Sequence, residues 1–151
     1  MRVVIQRVLE SSVFVDKQQQ AKIGPGLLVL LGIENNDTEK DIEWLTKKIT
    51  QLRIFPDENQ HMNLDITTQD SPEILLISQF TLHASTKKGN RPSYIRSAKP
   101  DFAIPIYESF KDALSTQVQK PIQSGVFGAD MKVELRNDGP VTIIIESKQT
   151  E

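Results

Sequence analysis

Cysteine is absent from the 151 residues. That excludes disulfides, thiolate nucleophiles and cysteine-rich metal sites. Histidine is nearly absent: only His61 and His83 occur, and not at an H-x-x-x-H spacing. No metal site and no cofactor are therefore expected. Long hydrophobic runs are missing. The longest, Leu27–Leu31, is far too short to cross a bilayer, so no membrane partner is expected. The N-terminal residues carry Arg2 and then alternate, without the apolar stretch of a signal peptide, and the expected location is the cytoplasm. An excess of positive charge is missing too. Lys and Arg number 18 against 20 Asp and Glu, a net charge of −2. A nucleic-acid partner would need a local basic patch.

What is present is a globular composition, 38% hydrophobic and 25% charged, in a chain long enough for one domain with a real core. Arg2–Leu9 alternates loosely and predicts a strand, with Ser12–Val15 as its continuation or partner. Asp16–Gln20 is polar and predicts a turn. Leu27–Ile33 is almost continuously apolar, as in a strand buried on both faces. Gly32 fits either a close backbone approach or the strand end. Asp37 or Thr38 can cap a helix whose apolar face is Ile42, Leu45, Ile49 and Leu52. Trp44 lies beside that stripe as a packing residue. Arg53–Phe55 resumes an extended path, and His61 falls in a polar, solvated loop. Glu73–Phe80 predicts a second buried strand. Thr86–Lys99 is irregular and holds Lys87, Lys88, Arg91, Arg96 and Lys99. Phe102, Ile106, Phe110 and Leu114 predict a second helix, with Pro105 in its first turn. Ile122–Phe127, Met131–Arg136 and Thr142–Ser147 predict closing strands, the last two as a hairpin joined through Asn137–Thr142. Lys148–Glu151 should fray. The expected class is α+β: one domain over residues 1–151, with a mostly antiparallel, barrel-like sheet system and two helices packed on it.

Two stretches carry candidate chemistry. Ser78-Gln79-Phe80-Thr81-Leu82 closes the second apolar strand and offers two hydroxyls. On an extended chain Thr81 and His83 would share a face, so a hydroxyl–histidine arrangement is conceivable. No G-x-S-x-G elbow accompanies it. The bland reading is a strand end with satisfied hydroxyls. Asn137-Asp138-Gly139-Pro140-Val141-Thr142 reads as a tight turn, with a proline placed where a cis bond is cheap. The basic loop at Lys87, Lys88 and Arg91 is either a solvated surface or a phosphate contact. Phe127 and Met131 are either core residues or the wall of a base-stacking pocket.

Taken together, Ser78–Leu82 and Asn137–Thr142 resemble the paired signatures of the D-aminoacyl-tRNA deacylase family. Met1–Val8, Leu52–Phe55, Lys87–Ser93 and Gly125–Met131 match the same family pattern in the same order. The resemblance runs nearly end to end. It implies a hydrolase that cleaves the ester between a D-amino acid, with glycine also admitted, and the 3′-terminal ribose of tRNA. It implies that Ser78, Gln79, Phe80 and Thr81 frame the scissile carbonyl, with the Phe80 amide and the Thr81 hydroxyl as polarising groups. Such an ester needs positioning and electrostatics more than a strong nucleophile. It also implies that a cis Gly139–Pro140 pair filters chirality from the partner subunit of a homodimer. In that setting Phe127 and Met131 would wall the terminal adenosine, and Lys87, Lys88 and Arg91 would meet tRNA phosphates. Rival readings are a related deacylase for L-threonine, a nucleic-acid-binding module without catalysis, and a small-ester hydrolase.

Overall fold

The computed structural model of the chain describes residues 1–148. A 14-residue strand, β1 (Arg2–Val15), runs through the middle. It turns back into β2 (Gln18–Ile23) through Asp16 and Lys17, whose φ angles are 49° and 65°. Two consecutive positive φ values suit a two-residue hairpin loop, so the turn is shorter than the polar run Asp16–Gln20. β1 also pairs antiparallel with β3 (Gly26–Gly32). From β3 the sheet continues in parallel to β6 (Ile74–Ser78) and then to β7 (Gln123–Ser124). On its other side β1 pairs with β8 (Lys132–Glu146) along almost its whole length. The sheet is nearly closed and barrel-like: its β1 pairings are antiparallel, as expected of a mostly antiparallel system, and only β3–β6 and β6–β7 among its described pairs are parallel. A separate pair, β4 (Phe55–Pro56) and β5 (Met62–Leu64), takes in the end of the extended path foreseen at Arg53–Phe55.

Alternation along the buried strands feeds two cores. Leu27, Val29 and Leu31 of β3 join Ile74 and Leu76 of β6, and Val3 and Ile5 of β1, under the helices. Leu28, Leu75, Ile77, Val8 and Val13 face the other way and pack with Ala21 and Ile23 inside the curled sheet. A strand with both faces buried must be apolar at every position, which is why Leu27–Leu31 does not alternate.

Helix α1 (Glu39–Thr50) starts at Thr38, whose backbone N–H donates to Asp41 Oδ2 at 2.8 Å. Asp37 does not cap it. Its carboxylate instead holds the Met1 ammonium at 2.6 Å and the Glu34 N–H at 2.7 Å. Ile42, Leu45 and Ile49 are buried as the spacing predicts. Trp44 is 44% exposed with the Lys48 ammonium 5.5 Å from its ring centroid, so it is not a core residue. Helix α2 spans Pro100–Val118 and begins earlier than its apolar pattern suggests. Pro105 therefore lies past the first turn. The buried stripe is Ala103, Tyr107, Phe110, Leu114 and Val118, while Phe102 is exposed. Phe110 and Leu114 are buried as expected, but in the first half of the helix Ala103 and Tyr107 take the inward positions expected of Phe102 and Ile106, and Tyr107 donates its hydroxyl to the Leu76 carbonyl at 3.0 Å.

No hairpin forms at Asn137–Thr142. Lys132–Glu146 is one strand, and both halves pair with β1. Gln6 faces Thr142 and Val8 faces Asn137, which leaves Arg7 alone opposite Asp138–Val141. The surplus residues bulge from the sheet. The Asn137 side chain closes the bulge by accepting from the Val141 N–H at 3.0 Å. Arg7 fills the space behind it, donating to the carbonyls of Asp138 (3.1 Å) and Ile54. Local turn chemistry suggested a reversal, but the 14-residue partner strand keeps the chain straight. At the C-terminus the Lys148 ammonium is held by Asp37 at 2.8 Å. The remainder of the expected fraying, residues 149–151, lies outside the described residues.

Candidate functional site

β6 stops at Ser78, and Phe80–His83 forms a 3₁₀ turn in place of the strand end foreseen at Phe80. The turn is pinned where it leaves the sheet. Gln79 N–H donates to the Leu31 carbonyl at 2.8 Å, and Leu82 N–H donates to the Gln79 carbonyl at 3.2 Å. Gly32 lets the turn come this close. A Cβ at Gly32 would lie 3.0 Å from His83 Cδ2, 3.0 Å from Leu82 Cβ and 3.1 Å from the Gln79 oxygen. Phe80 and Thr81 open the turn, so their N–H groups have no acceptor within it. Gln79 Nε2 donates to Thr81 Oγ1 at 2.5 Å, which leaves the Thr81 hydroxyl proton free to donate elsewhere.

Ser78, Gln79 and Phe80 line one side of a cavity of about 550 Å³. Phe127 and Met131 line it as well, together with Leu31, Ile33 and Ile77 at its floor. Phe127 is braced edge-on against the buried Tyr107, centroids 5.6 Å apart. Burial raises the Tyr107 pKa above its ordinary value, so the hydroxyl stays a neutral donor. The third wall is Tyr94 with Ser97, Ala98, Lys99 and Pro100, and Phe80 meets Tyr94 edge to face at 5.1 Å. Sequence reading missed Tyr94, Ser97 and Lys99 as wall residues. Their one signal was adjacency to the matched stretch Lys87–Ser93.

Thr81 is not a wall residue, and neither are Gly139 and Pro140. The latter two sit exposed on the β8 bulge, with Gly139 at φ 135° and a cis bond between them. Lys87, Lys88 and Arg91 are exposed on the loop closed by the Ser85–Ser93 bridge, outside the cavity. The hydroxyl–histidine arrangement does not form. His83 is buried, and among the described residues neither ring nitrogen has a hydrogen-bond partner. The 3₁₀ turn breaks the two-residue alternation on which a shared face depended. Burial holds the His83 pKa below its ordinary value, against the pull of Glu34, whose Oε1 lies 3.6 Å from Nδ1. Among the described residues no group of three His, Asp or Glu side chains converges on a metal position. Among the same residues no helix is long and apolar enough to cross a membrane.

A cavity of this size, apolar at its floor and bordered by the Ser78 and Ser97 side chains and the Phe80 amide, is the build of an enzyme that works by positioning. The comparisons give that class a family. A model described as D-Tyr-tRNA(Tyr) deacylase matches residues 4–146. A Parabacteroides distasonis protein named D-aminoacyl-tRNA deacylase is 61% identical over 151 residues, the full length of both chains. A Flavobacterium johnsoniae protein of the same name is 61% identical over the same span. A solved structure titled c-Myc DNA Unwinding Element Binding Protein superposes with a TM-score of 0.93 at 41% identity, covering 99% of this chain and 100% of that one. Another, titled as a probable eukaryotic D-amino acid tRNA deacylase, shares the fold at 15% identity and a TM-score of 0.82, covering 95% and 97%. The chain belongs to the D-Tyr-tRNA(Tyr) deacylase family, hydrolases that act on ester bonds.

Proposed function

We propose that the protein hydrolyses the ester joining a D-amino acid to the 3′-terminal ribose of tRNA, and that it acts in the cytoplasm as a chiral proofreader. The observation that carries this reading is the start of the turn at Phe80, whose N–H has no acceptor within the turn, beside a cavity walled by Phe127 and Met131. The aromatic and apolar wall suits a terminal adenine, since bases stack on such side chains. The Phe80 N–H then takes the carbonyl oxygen as negative charge develops on it. The Thr81 hydroxyl, oriented by Gln79, is the second polarising group. Such donors act without reorganising at the moment of reaction. Lys87, Lys88 and Arg91 meet the phosphates that lead to the terminal nucleotide.

In this reading the Gly139–Pro140 pair comes from the partner subunit of a homodimer. Its support is that both residues stand out from β8 and that neither reaches this chain's own cavity. Among the described residues β8 pairs only with β1, so its other edge is open there. The backbone of the pair holds the substrate's α-ammonium and leaves no room for an L side chain. Exclusion of this kind ignores what the side chain is. Any D-amino acid passes, and so does glycine. Parallel assays of D-, L- and glycyl-tRNA test the filter, and sedimentation tests the assembly. Equal rates on D- and L-substrates would remove the filter, and a fully active monomer would remove the shared site.

A further inference from the structure

We propose that Ser97 is a positioning residue for this reaction, with Glu34 as its anchor. The inference rests on the proposed activity and adds to it. The turn Phe80–His83 is only one 3₁₀ turn long, and such turns have poor hydrogen-bond geometry of their own. Its carbonyls show what holds it. The Gln79 and Thr81 oxygens accept from Leu82 and Ala84 within the turn. The Leu82 oxygen accepts from Arg2 Nη1 at 2.5 Å. The Phe80 oxygen accepts from Ser97 Oγ at 2.8 Å. That oxygen belongs to the peptide plane shared with the Thr81 N–H. Holding it fixes the peptide that joins Phe80, whose N–H is the first polarising group, to Thr81, whose hydroxyl is the second.

Ser97 can do this because its own place is fixed. It faces Glu34 in an isolated antiparallel bridge, and Ala98 N–H donates to the Ile33 carbonyl at 2.9 Å. Arg96, next to it, reaches Glu34 Oε1 with Nε at 2.9 Å and Nη2 at 2.8 Å. The same oxygen lies 3.6 Å from His83 Nδ1, so one carboxylate touches both the outer wall and the turn.

The test compares wild type with Ser97→Ala, Ser97→Thr and Glu34→Gln. Losing one hydrogen bond of ordinary strength lowers kcat about three- to tenfold in Ser97→Ala. KM stays within about twofold, because the lost interaction orients the reacting group and does not hold the tRNA. Ser97→Thr keeps the hydroxyl and restores kcat, which a mere packing role would not predict. Glu34→Gln lowers kcat in the same direction. Amide hydrogen exchange over Phe80–His83 needs no substrate, and it speeds up in Ser97→Ala and Glu34→Gln. Unchanged kcat in Ser97→Ala, or no rescue by threonine, overturns the inference. A wild type that cleaves no D-aminoacyl-tRNA instead overturns the proposed activity. In that event the exchange result alone decides on Ser97, and unaltered exchange sinks it.

Discussion

Replacing Gly32 by alanine places one methyl group between β3 and the turn that opens the cavity. Its three nearest neighbours lie at 3.0, 3.0 and 3.1 Å, tighter than ordinary van der Waals contact. None of the three can give way freely. The Gln79 carbonyl is backbone and already accepts from Leu82 N–H. Leu82 is tied through its own carbonyl to Arg2. His83 is enclosed by the fold. Overpacking of this kind costs about 1–3 kcal/mol. For a chain of this length each kcal/mol moves Tm by about 2–4 °C, so the expected loss is about 2–12 °C. The control is Gly24→Ala. A Cβ there meets only the flexible Glu73 carboxylate, at 3.3 Å, and Tm should hold. Turnover separates the two variants further. The methyl at position 32 pushes the Phe80 and Thr81 amides off their line, and kcat falls, whereas Gly24→Ala keeps it. Thermal unfolding and D-aminoacyl-tRNA hydrolysis on both variants form the assay. If Gly32→Ala melts with Gly24→Ala and turns over like wild type, the close approach does not govern the site.

Gly139→Ala adds a side chain at φ 135°, with its Cβ 2.8 Å from Val141 Cγ2, so the bulge must move. D-aminoacyl-tRNA cleavage should fall roughly 10–100-fold, read in single-turnover assays; full activity would detach the bulge from the chemistry. Neutralising Lys87, Lys88 and Arg91 should weaken tRNA binding and reduce the slope of log affinity against log salt by about one unit per lost contact. An unchanged slope would make the loop a solvated surface. Burial depresses the His83 pKa in the fold. As pH falls below the unfolded value of about 6.5, the unfolded chain takes up a proton that the fold does not, and stability drops until the folded pKa is passed. Denaturant titrations between about pH 6.5 and 5 should show this slope in wild type and a flatter one in His83→Gln; parallel slopes would contradict it.

Legibility in the sequence followed the range of the interactions. Leu27–Leu31 and the stripe Ile42, Leu45 and Ile49 were readable because burial leaves a local pattern. The Ser78–Phe80 stretch and the Phe127–Met131 wall were readable as motifs, and the fold brings them to one cavity. The reading failed where a distant partner overrides local chemistry. Asn137–Thr142 has the residues of a turn, yet β1 pairs with β8 on both sides of it, and opposite Gln6–Val8 the surplus residues of β8 are taken up as a bulge. Phe102 keeps helical step with Phe110, yet the contact of Tyr107 with Leu76 sets which side of α2 faces inward. His83 shares a face with Thr81 only on an extended chain, and nothing in Phe80–His83 announces a 3₁₀ turn. That turn exists because Gly32, nearly fifty positions earlier, has no side chain to hold it off. Ser97 was invisible for the same reason: its bond to the Phe80 carbonyl and its bridge to Glu34 join positions far apart in the chain, and no local pattern links them. Positions that orient the site through long-range hydrogen bonds are thus the ones a motif search passes over. Mutating them tests the geometry without touching the motif itself.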